Sequence, residues 1–133
     1  MSDNLTREIA LVVDIDDQDL HGEYSRAAHH LAVWGVEYAQ AQRGFLLAKS
    51  NRERTEAQLR LALREDYEAT GKKATEATVE ALLRTHPQYD DAKLDEVEAE
   101  AEALRVRGIL NAVKTKCDML VSLGATQRAE MRV

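Results

Sequence analysis

The sequence predicts an all-α protein, a long helical hairpin of two long helices plus short helices that oligomerises. The 133 residues are 44% hydrophobic and 32% charged, with 5% aromatic residues and a single proline. This composition is typical of long helices. It excludes a collagen-like chain, a small domain cross-linked by disulfides and a disordered chain. Apolar residues also recur at alternating steps of four and three, the spacing of a helical seam. We expect one domain, residues 1–133, because this length supports one modest core.

The first long helix is predicted over residues 17–69, after an acidic lead-in, residues 1–16. The stretch from Ile9 to Ile15 is apolar and largely β-branched, so the lead-in contains a possible short extended segment. Asp16 and Asp17 then offer an N-cap for the helix. The predicted seam of this helix is Leu20, Tyr24, Ala27, Leu31, Trp34, Tyr38, Ala41, Phe45 and Ala48.

A short helix is predicted over residues 75–86, between the two long ones. Gly71 suits the end of the first long helix, since glycine is favoured just past a helix C-terminus. Thr75 can cap the short helix. The pair His86-Pro87 ends it, because the residue before a proline disfavours the helical conformation.

The second long helix is predicted over residues 90–123. Acidic residues at Asp90 and Asp91 suit the positive end of its dipole. We expect Gly124 to close this helix, with a helical tail over residues 125–132. Its predicted seam is Leu94, Val97, Ala101 and Leu104, followed after a slip by Val106, Leu110, Val113, Cys117 and Leu120.

The apolar residues outnumber those that one helical hairpin can bury. Because exposed apolar surface is covered most simply by a second copy, the pattern predicts a homo-oligomer. The longest apolar runs, such as Ile9 to Val13, are far shorter than a bilayer span, which requires about 20 residues. No signal peptide is recognisable, and the single cysteine, Cys117, has no partner for a disulfide. We therefore expect a cytoplasmic protein without membrane contacts.

The chain shows no pattern of catalytic, cofactor-binding or metal-ligating residues. The four histidines lack the spacing of a zinc site. A calcium loop starting at Asp17 fails at its twelfth position, where Ala28 stands in place of the bidentate glutamate. There is no glycine-rich phosphate loop, and Cys117 lies on the apolar seam, where a core position is expected. The sequence therefore predicts that the protein is not an enzyme.

Charge is distributed in blocks along the chain, although the net charge is −6. Residues 42–73 hold eight basic and five acidic residues, whereas residues 90–102 hold seven acidic residues and one lysine. A basic stripe can bind a polyanion beside distant acidic segments, because salt screens charges beyond about 8 Å. Phosphate contacts of this kind are independent of base sequence. The candidate residues for single-stranded DNA are Lys49, Arg52, Arg60, Arg64, Lys72 and Lys73.

A second interpretation of the same basic residues remains open. Glu56 and Arg60 form an i,i+4 pair, as do Lys49 and Glu53, so this stretch can also be a solvated, salt-bridged helix face. Arg52 falls on the seam itself, where an apolar residue is expected. On this interpretation the chain is a helical structural or scaffolding protein that is indifferent to DNA.

Three stretches resemble the UvsY family, the recombination mediators of T-even-type bacteriophages. The first is IDDQDLHGE at Ile15–Glu23, followed by Trp34, similar to the family's I-D-x-x-x-L-x-x-E and its tryptophan. The second is REDY at Arg64–Tyr67, similar to K-A-R-L-D-Y. The third is GIL at Gly108–Leu110 with DMLVSLG at Asp118–Gly124, similar to G-I-L and D-x-I-x-S-x-G. The stretches keep the family's order.

The resemblance implies a protein that binds single-stranded DNA as a ring of about six or seven subunits. It also implies that the ring promotes loading of a RecA-like recombinase onto a strand coated by single-strand-binding protein, in the host cytoplasm if the gene belongs to a phage. Arg64 corresponds to the family's DNA-contacting arginine. The family's lysine two residues earlier corresponds to Ala62, and Arg60 lies one turn before Arg64.

Overall fold

A computed structural model describes Arg7, Ala10 and residues 14–132. Between residues 14 and 132 the chain forms three helices: α1 (Leu20–Glu68), α2 (Glu76–Arg84) and α3 (Pro87–Met131). The predicted all-α class, with two long helices and a short helix between them, is confirmed. Most of the possible extended segment from Ile9 to Ile15 lies outside the described residues.

The start of α1 differs from the prediction by a few residues. The N-cap is Asp19, whose Oδ1 accepts a hydrogen bond from the backbone N–H of Gly22 at 3.2 Å. Asp16 instead closes a turn before the helix, because its Oδ1 accepts from the N–H of Gln18 at 3.0 Å. At the other end of α1, Gly71 takes the left-handed conformation with φ 87°. The predicted glycine stop is therefore confirmed there.

The short helix α2 begins where the sequence predicts. The side chain of Thr75 accepts a hydrogen bond from the N–H of Thr78 and caps it. The helix ends at Arg84, and α3 begins at Pro87 rather than near residue 90. Proline suits the first helical position, because the N–H that it lacks would have no partner within the helix. Nδ1 of His86 accepts from the N–H of Gln88 at 3.2 Å and caps α3.

The predicted end of the second long helix at Gly124 is wrong. α3 continues to Met131, so residues 125–131 are its last turns, and the predicted tail over residues 125–132 is not a separate element. Gly124 has a packing role instead: a Cβ at this position would lie 2.4 Å from the hydroxyl oxygen of Tyr24. That hydroxyl donates a hydrogen bond to the carbonyl oxygen of Leu120 at 2.5 Å.

The chain divides into two compact units, which we call the terminal unit (Met1–Gln40 with Leu104–Val133) and the central unit (Ala41–Ala103). In the terminal unit, α1 and α3 run antiparallel, because Tyr24 contacts Leu120 and Trp34 packs near Ile109. Its core holds the fully buried Ile109 and Val113, against which Trp34 and Cys117 pack. The predicted core position of Cys117 is confirmed.

A buried ion pair also stabilises the terminal unit. Nζ of Lys116, only 3% exposed, lies 2.8 Å from Oε2 of Glu23 and donates to the carbonyl oxygen of Asp14 at 2.8 Å. Oε1 of Glu23 accepts from the N–H of Asp16 and from Arg26. The lysine hydrogen bond lowers the pKa of Glu23 from 4.5 to about 2. Through these contacts, the segment that precedes α1 is held against α3.

We expect the terminal unit to lose stability as the pH falls from 4.5 to about 2. Because folding lowers the pKa of Glu23, the unfolded chain binds more protons than the folded chain within this window. The stabilisation is therefore complete above it and is lost as the pH falls through it. Urea unfolding followed by circular dichroism at a series of pH values measures this loss. Glu23→Gln should show a flatter pH profile, and parallel profiles would contradict the prediction.

In the central unit, α2 lies beside α1, to which the Arg60–Glu80 and Arg64–Glu76 ion pairs join it. Val79 and Leu83 are fully buried, and Leu59 of α1 and Ala92 of α3 are buried as well. Leu82, on the same helix, is 36% exposed.

The first half of the predicted α3 seam is wrong. Leu94, Val97 and Leu104 are all more than half exposed. The residues of α3 that are buried or half-buried in the central unit are instead Tyr89, Ala92, Glu96, Ala99 and Ala103. The inner face of this part of α3 is therefore built from three alanines, one tyrosine and one glutamate, and an apolar row is left on its outer face.

Candidate nucleic-acid interface

All six predicted DNA-binding residues lie in the central unit, but the structure divides them into two groups. Three of the six, all arginines, form ion pairs with glutamates of the same chain, and the three lysines are exposed. The arginines are Arg52, Arg60 and Arg64, and the lysines are Lys49, Lys72 and Lys73.

Arg52 lies inside the seam between α1 and α3. Its Nε donates to Glu96 of α3 at 2.6 Å, and its Nη1 donates to Glu56 one turn along α1 at 3.0 Å. The side chain is 18% exposed, and that of Glu96 is 12% exposed. The hydrogen bond to Glu96 raises the pKa of Arg52, and the same bond lowers the pKa of Glu96. Since both charges are largely removed from water, loss of either partner would leave a buried charge uncompensated, so this pair has a structural role between α1 and α3.

Arg60 bridges α1 and α2. Its Nη2 donates to Glu80 of α2 at 2.5 Å and to Glu56 at 3.1 Å. The hydrogen bond to Glu80 raises the pKa of Arg60 and lowers that of Glu80. Arg84 also donates to Glu80, at 3.3 Å. The predicted pair between Glu56 and Arg60 is confirmed, and one third of the Arg60 side chain remains accessible.

Arg64 forms the most exposed of the three pairs. Its Nη2 contacts the carboxylate of Glu76 at the start of α2, and the Glu76 side chain is 78% exposed. Exposed ion pairs contribute about 0–1 kcal/mol, so a phosphate can replace Glu76 at small cost. Arg64 is therefore the arginine of this group that is best suited to a nucleic-acid backbone.

The three lysines have no ion pair among the described residues. Lys72 and Lys73 follow Gly71 in the loop between α1 and α2, and all three residues are exposed. Lys49 is exposed on α1. The predicted pair between Lys49 and Glu53 is wrong, because Glu53 lies 4.0 Å from Arg52 instead. A lysine ammonium group without a carboxylate partner can contact a phosphate without first breaking an ion pair.

No known protein family, curated protein or solved structure matches the chain. Among the described residues, no group of histidine, cysteine, aspartate or glutamate side chains could hold a metal ion. No helix in the described part of the chain is long and apolar enough to cross a membrane.

Sequence reasoning missed the glutamates that pair with the arginines across helices. Glu76 and Glu80 come from α2, and Glu96 comes from α3. Within one helix, an ion pair can be predicted from a spacing of three or four residues. An ion pair between two helices can be predicted only when it is known how the helices are aligned against each other. One signal was available: Arg52 interrupts the α1 seam, and a charge at a seam position needs an opposite charge across from it.

Proposed function

We propose that this chain is a recombination mediator that binds single-stranded DNA as a homo-oligomer. In this proposal it promotes loading of a RecA-like recombinase onto a strand coated by single-strand-binding protein. The observation that carries the proposal is the exposed basic group of Lys72 and Lys73, which form no ion pair within the described part of the chain, together with Arg64, whose partner Glu76 is exposed. The resemblance of three stretches to the UvsY family supports it.

One subunit offers few phosphate contacts. Lys49 and Arg60 extend the basic group along α1, but Arg60 shares its charge with Glu56 and Glu80. A ring of subunits multiplies such weak contacts along one strand, because each later contact forms at high effective concentration. Few aromatic residues are present for base stacking, so phosphate contacts dominate and binding depends strongly on salt.

Arg52 is not part of the proposed DNA surface. Its guanidinium is committed to Glu96 and Glu56 inside the seam. The DNA surface consists of Arg64, Lys72 and Lys73, with Lys49 and Arg60 at its edge.

We expect labelled oligo-dT to bind in fluorescence anisotropy, with affinity falling steeply between about 50 and 200 mM salt. The variant Lys72→Glu/Lys73→Glu should lose at least about tenfold in affinity, since it replaces attraction to phosphate with repulsion. The matched control is Arg128→Glu/Arg132→Glu, which changes the net charge equally at two exposed residues of α3 and the end of the chain. It should lose much less.

The loading step is measured on the same oligonucleotide after it is coated with single-strand-binding protein. Addition of the mediator should shorten the lag before DNA-dependent ATP hydrolysis by a RecA-like recombinase. Absence of oligo-dT binding at about 50 mM salt would refute the DNA role. The ion pairs of Arg52, Arg60 and Arg64 would then favour the alternative, a structural or scaffolding protein.

A further inference from the structure

The central unit exposes an apolar row on α3 that is flanked by acidic residues. Leu94 and Val97 are 56% and 52% exposed, and Ala101 is exposed as well. At 100° per residue these three residues lie within about 60° of one another, so they form one stripe. The exposed acidic residues within about 60° of Leu94 are Asp90, Asp91 and Glu98. We call this surface the α3 row.

A second row lies on the outer face of α1 in the same unit. Leu47 and Leu61 are 59% and 67% exposed, and the exposed Arg43 and Arg54 alternate with them. The four residues lie within about 40° of one another around the helix. Glu53 and Glu56 fall on other faces, so the charged residues of this surface, which we call the α1 row, are all basic between residues 43 and 61.

The two rows match in both polarity and charge. Each row includes apolar residues that are not buried in the chain's own core. The charged residues of the α1 row are basic, whereas those flanking the α3 row are acidic. An arginine in such a row can lay its aliphatic stem over a leucine and extend its guanidinium to a carboxylate on the facing helix. We infer that the α1 row of one copy of this chain docks against the α3 row of the next copy.

This inference deepens the homo-oligomer of the proposed function and rests on it. A contact between two different surfaces is head-to-tail, so an open assembly has a free α1 row at one end and a free α3 row at the other until it closes into a ring. Contacts between like rows are disfavoured. Pairing two α1 rows would bring Arg43 and Arg54 of both copies together, and pairing two α3 rows would juxtapose their carboxylates.

Two variants that each disable one row test the pairing. Leu47→Asp/Leu61→Asp disables the α1 row, and Leu94→Asp/Val97→Asp disables the α3 row. In sedimentation velocity without DNA, we expect the wild type to form oligomers and each variant alone to be a monomer of about 14.9 kDa. An equimolar mixture should form a dimer with one copy of each variant, because one intact α1 row and one intact α3 row then remain.

The controls separate loss of assembly from loss of folding. All four positions are exposed, so circular dichroism should show unchanged helicity. Met119→Asp/Val121→Asp, at two exposed positions of the terminal unit, should assemble as the wild type does. Arg43→Gln/Arg54→Gln keeps the leucines and should weaken assembly about tenfold or more through lost charge complementarity.

Several outcomes would overturn the inference: a monomeric wild type, assembly by either row variant alone, loss of assembly in the terminal-unit control, or a mixture that stays monomeric. Its failure is distinguishable from failure of the proposed function. If the wild type and the mixture behave as expected but oligo-dT does not bind, the docking stands and the DNA role fails. If oligo-dT binds but both row variants still assemble, the docking alone fails.

Discussion

Replacing Lys116 with methionine is expected to lower the free energy of unfolding by about 3–5 kcal/mol. Lys116 is buried, and its ammonium lies 2.8 Å from the carboxylate of Glu23. Methionine fills a similar volume but leaves Glu23 as a buried anion, with Arg26 as its remaining cationic contact. The carbonyl oxygen of Asp14 also loses its donor. Urea unfolding at neutral pH, followed by circular dichroism, measures the loss.

Two further variants identify the buried charge as the cause. Glu23→Leu/Lys116→Met removes both charges, and we expect it to recover most of the lost stability, because an apolar pair needs no compensation. Asp19→Asn breaks the exposed contact with Arg26, 3.4 Å long, and should cost at most about 1 kcal/mol. If Lys116→Met costs no more than Asp19→Asn, the ion pair is not a major contributor to stability.

The fold class was predictable because it depends on local signals. Apolar spacing predicted two long helices, and Gly71 and Thr75 marked the break between them. Each of these residues acts through its own backbone or its nearest turn, so the sequence contains the whole cause. Gly124 shows the limit of such reasoning. The same residue type that ends α1 lies within α3, because Tyr24, about a hundred residues earlier, packs against it.

The orientation of α3 in the central unit could not be predicted from apolar spacing. This part of α3 carries two rows with a spacing of four and three: Leu94, Val97 and Ala101 on one face, and Tyr89, Ala92, Glu96, Ala99 and Ala103 on another. The leucine and valine row is more hydrophobic, yet it is exposed. The inner row is selected because it brings Glu96 to Arg52 and presents small alanines to α1.

The sequence predicted where the basic residues of the candidate site lie along the chain, but not which of them are already held in ion pairs. The basic stretch on α1 was visible as charge in the sequence, and Arg64 and the two loop lysines remain available to a phosphate. Whether an arginine is committed to a carboxylate depends on α2 and α3, which are distant in sequence. Arg52 and Lys72 therefore look equivalent as charges in the sequence, although one is inside a seam and the other is exposed.

The Arg52–Glu96 pair gives a test of this distinction. We expect Arg52→Leu alone and Glu96→Leu alone each to lower the free energy of unfolding by about 2–3 kcal/mol, because each leaves a largely buried charge without its main partner. The double variant Arg52→Leu/Glu96→Leu should be at least as stable as either single variant. In the double variant no buried charge is left without a partner, and the two leucines can pack against each other between α1 and α3. Urea unfolding of all four proteins gives the coupling energy.

The same double variant decides whether Arg52 contributes to DNA binding. Since its guanidinium is held inside the seam, oligo-dT affinity should stay within about twofold of wild type, whereas Arg64→Gln should weaken binding several-fold and reduce its salt dependence. Arg64→Gln is the appropriate comparison because Arg64 lies on the same helix and its partner is exposed. A double variant that folds and assembles normally but binds as weakly as Arg64→Gln would return Arg52 to the DNA surface. Wild-type affinity in that variant would mean that one basic residue of this helix stabilises the fold while another, three turns later, binds the strand.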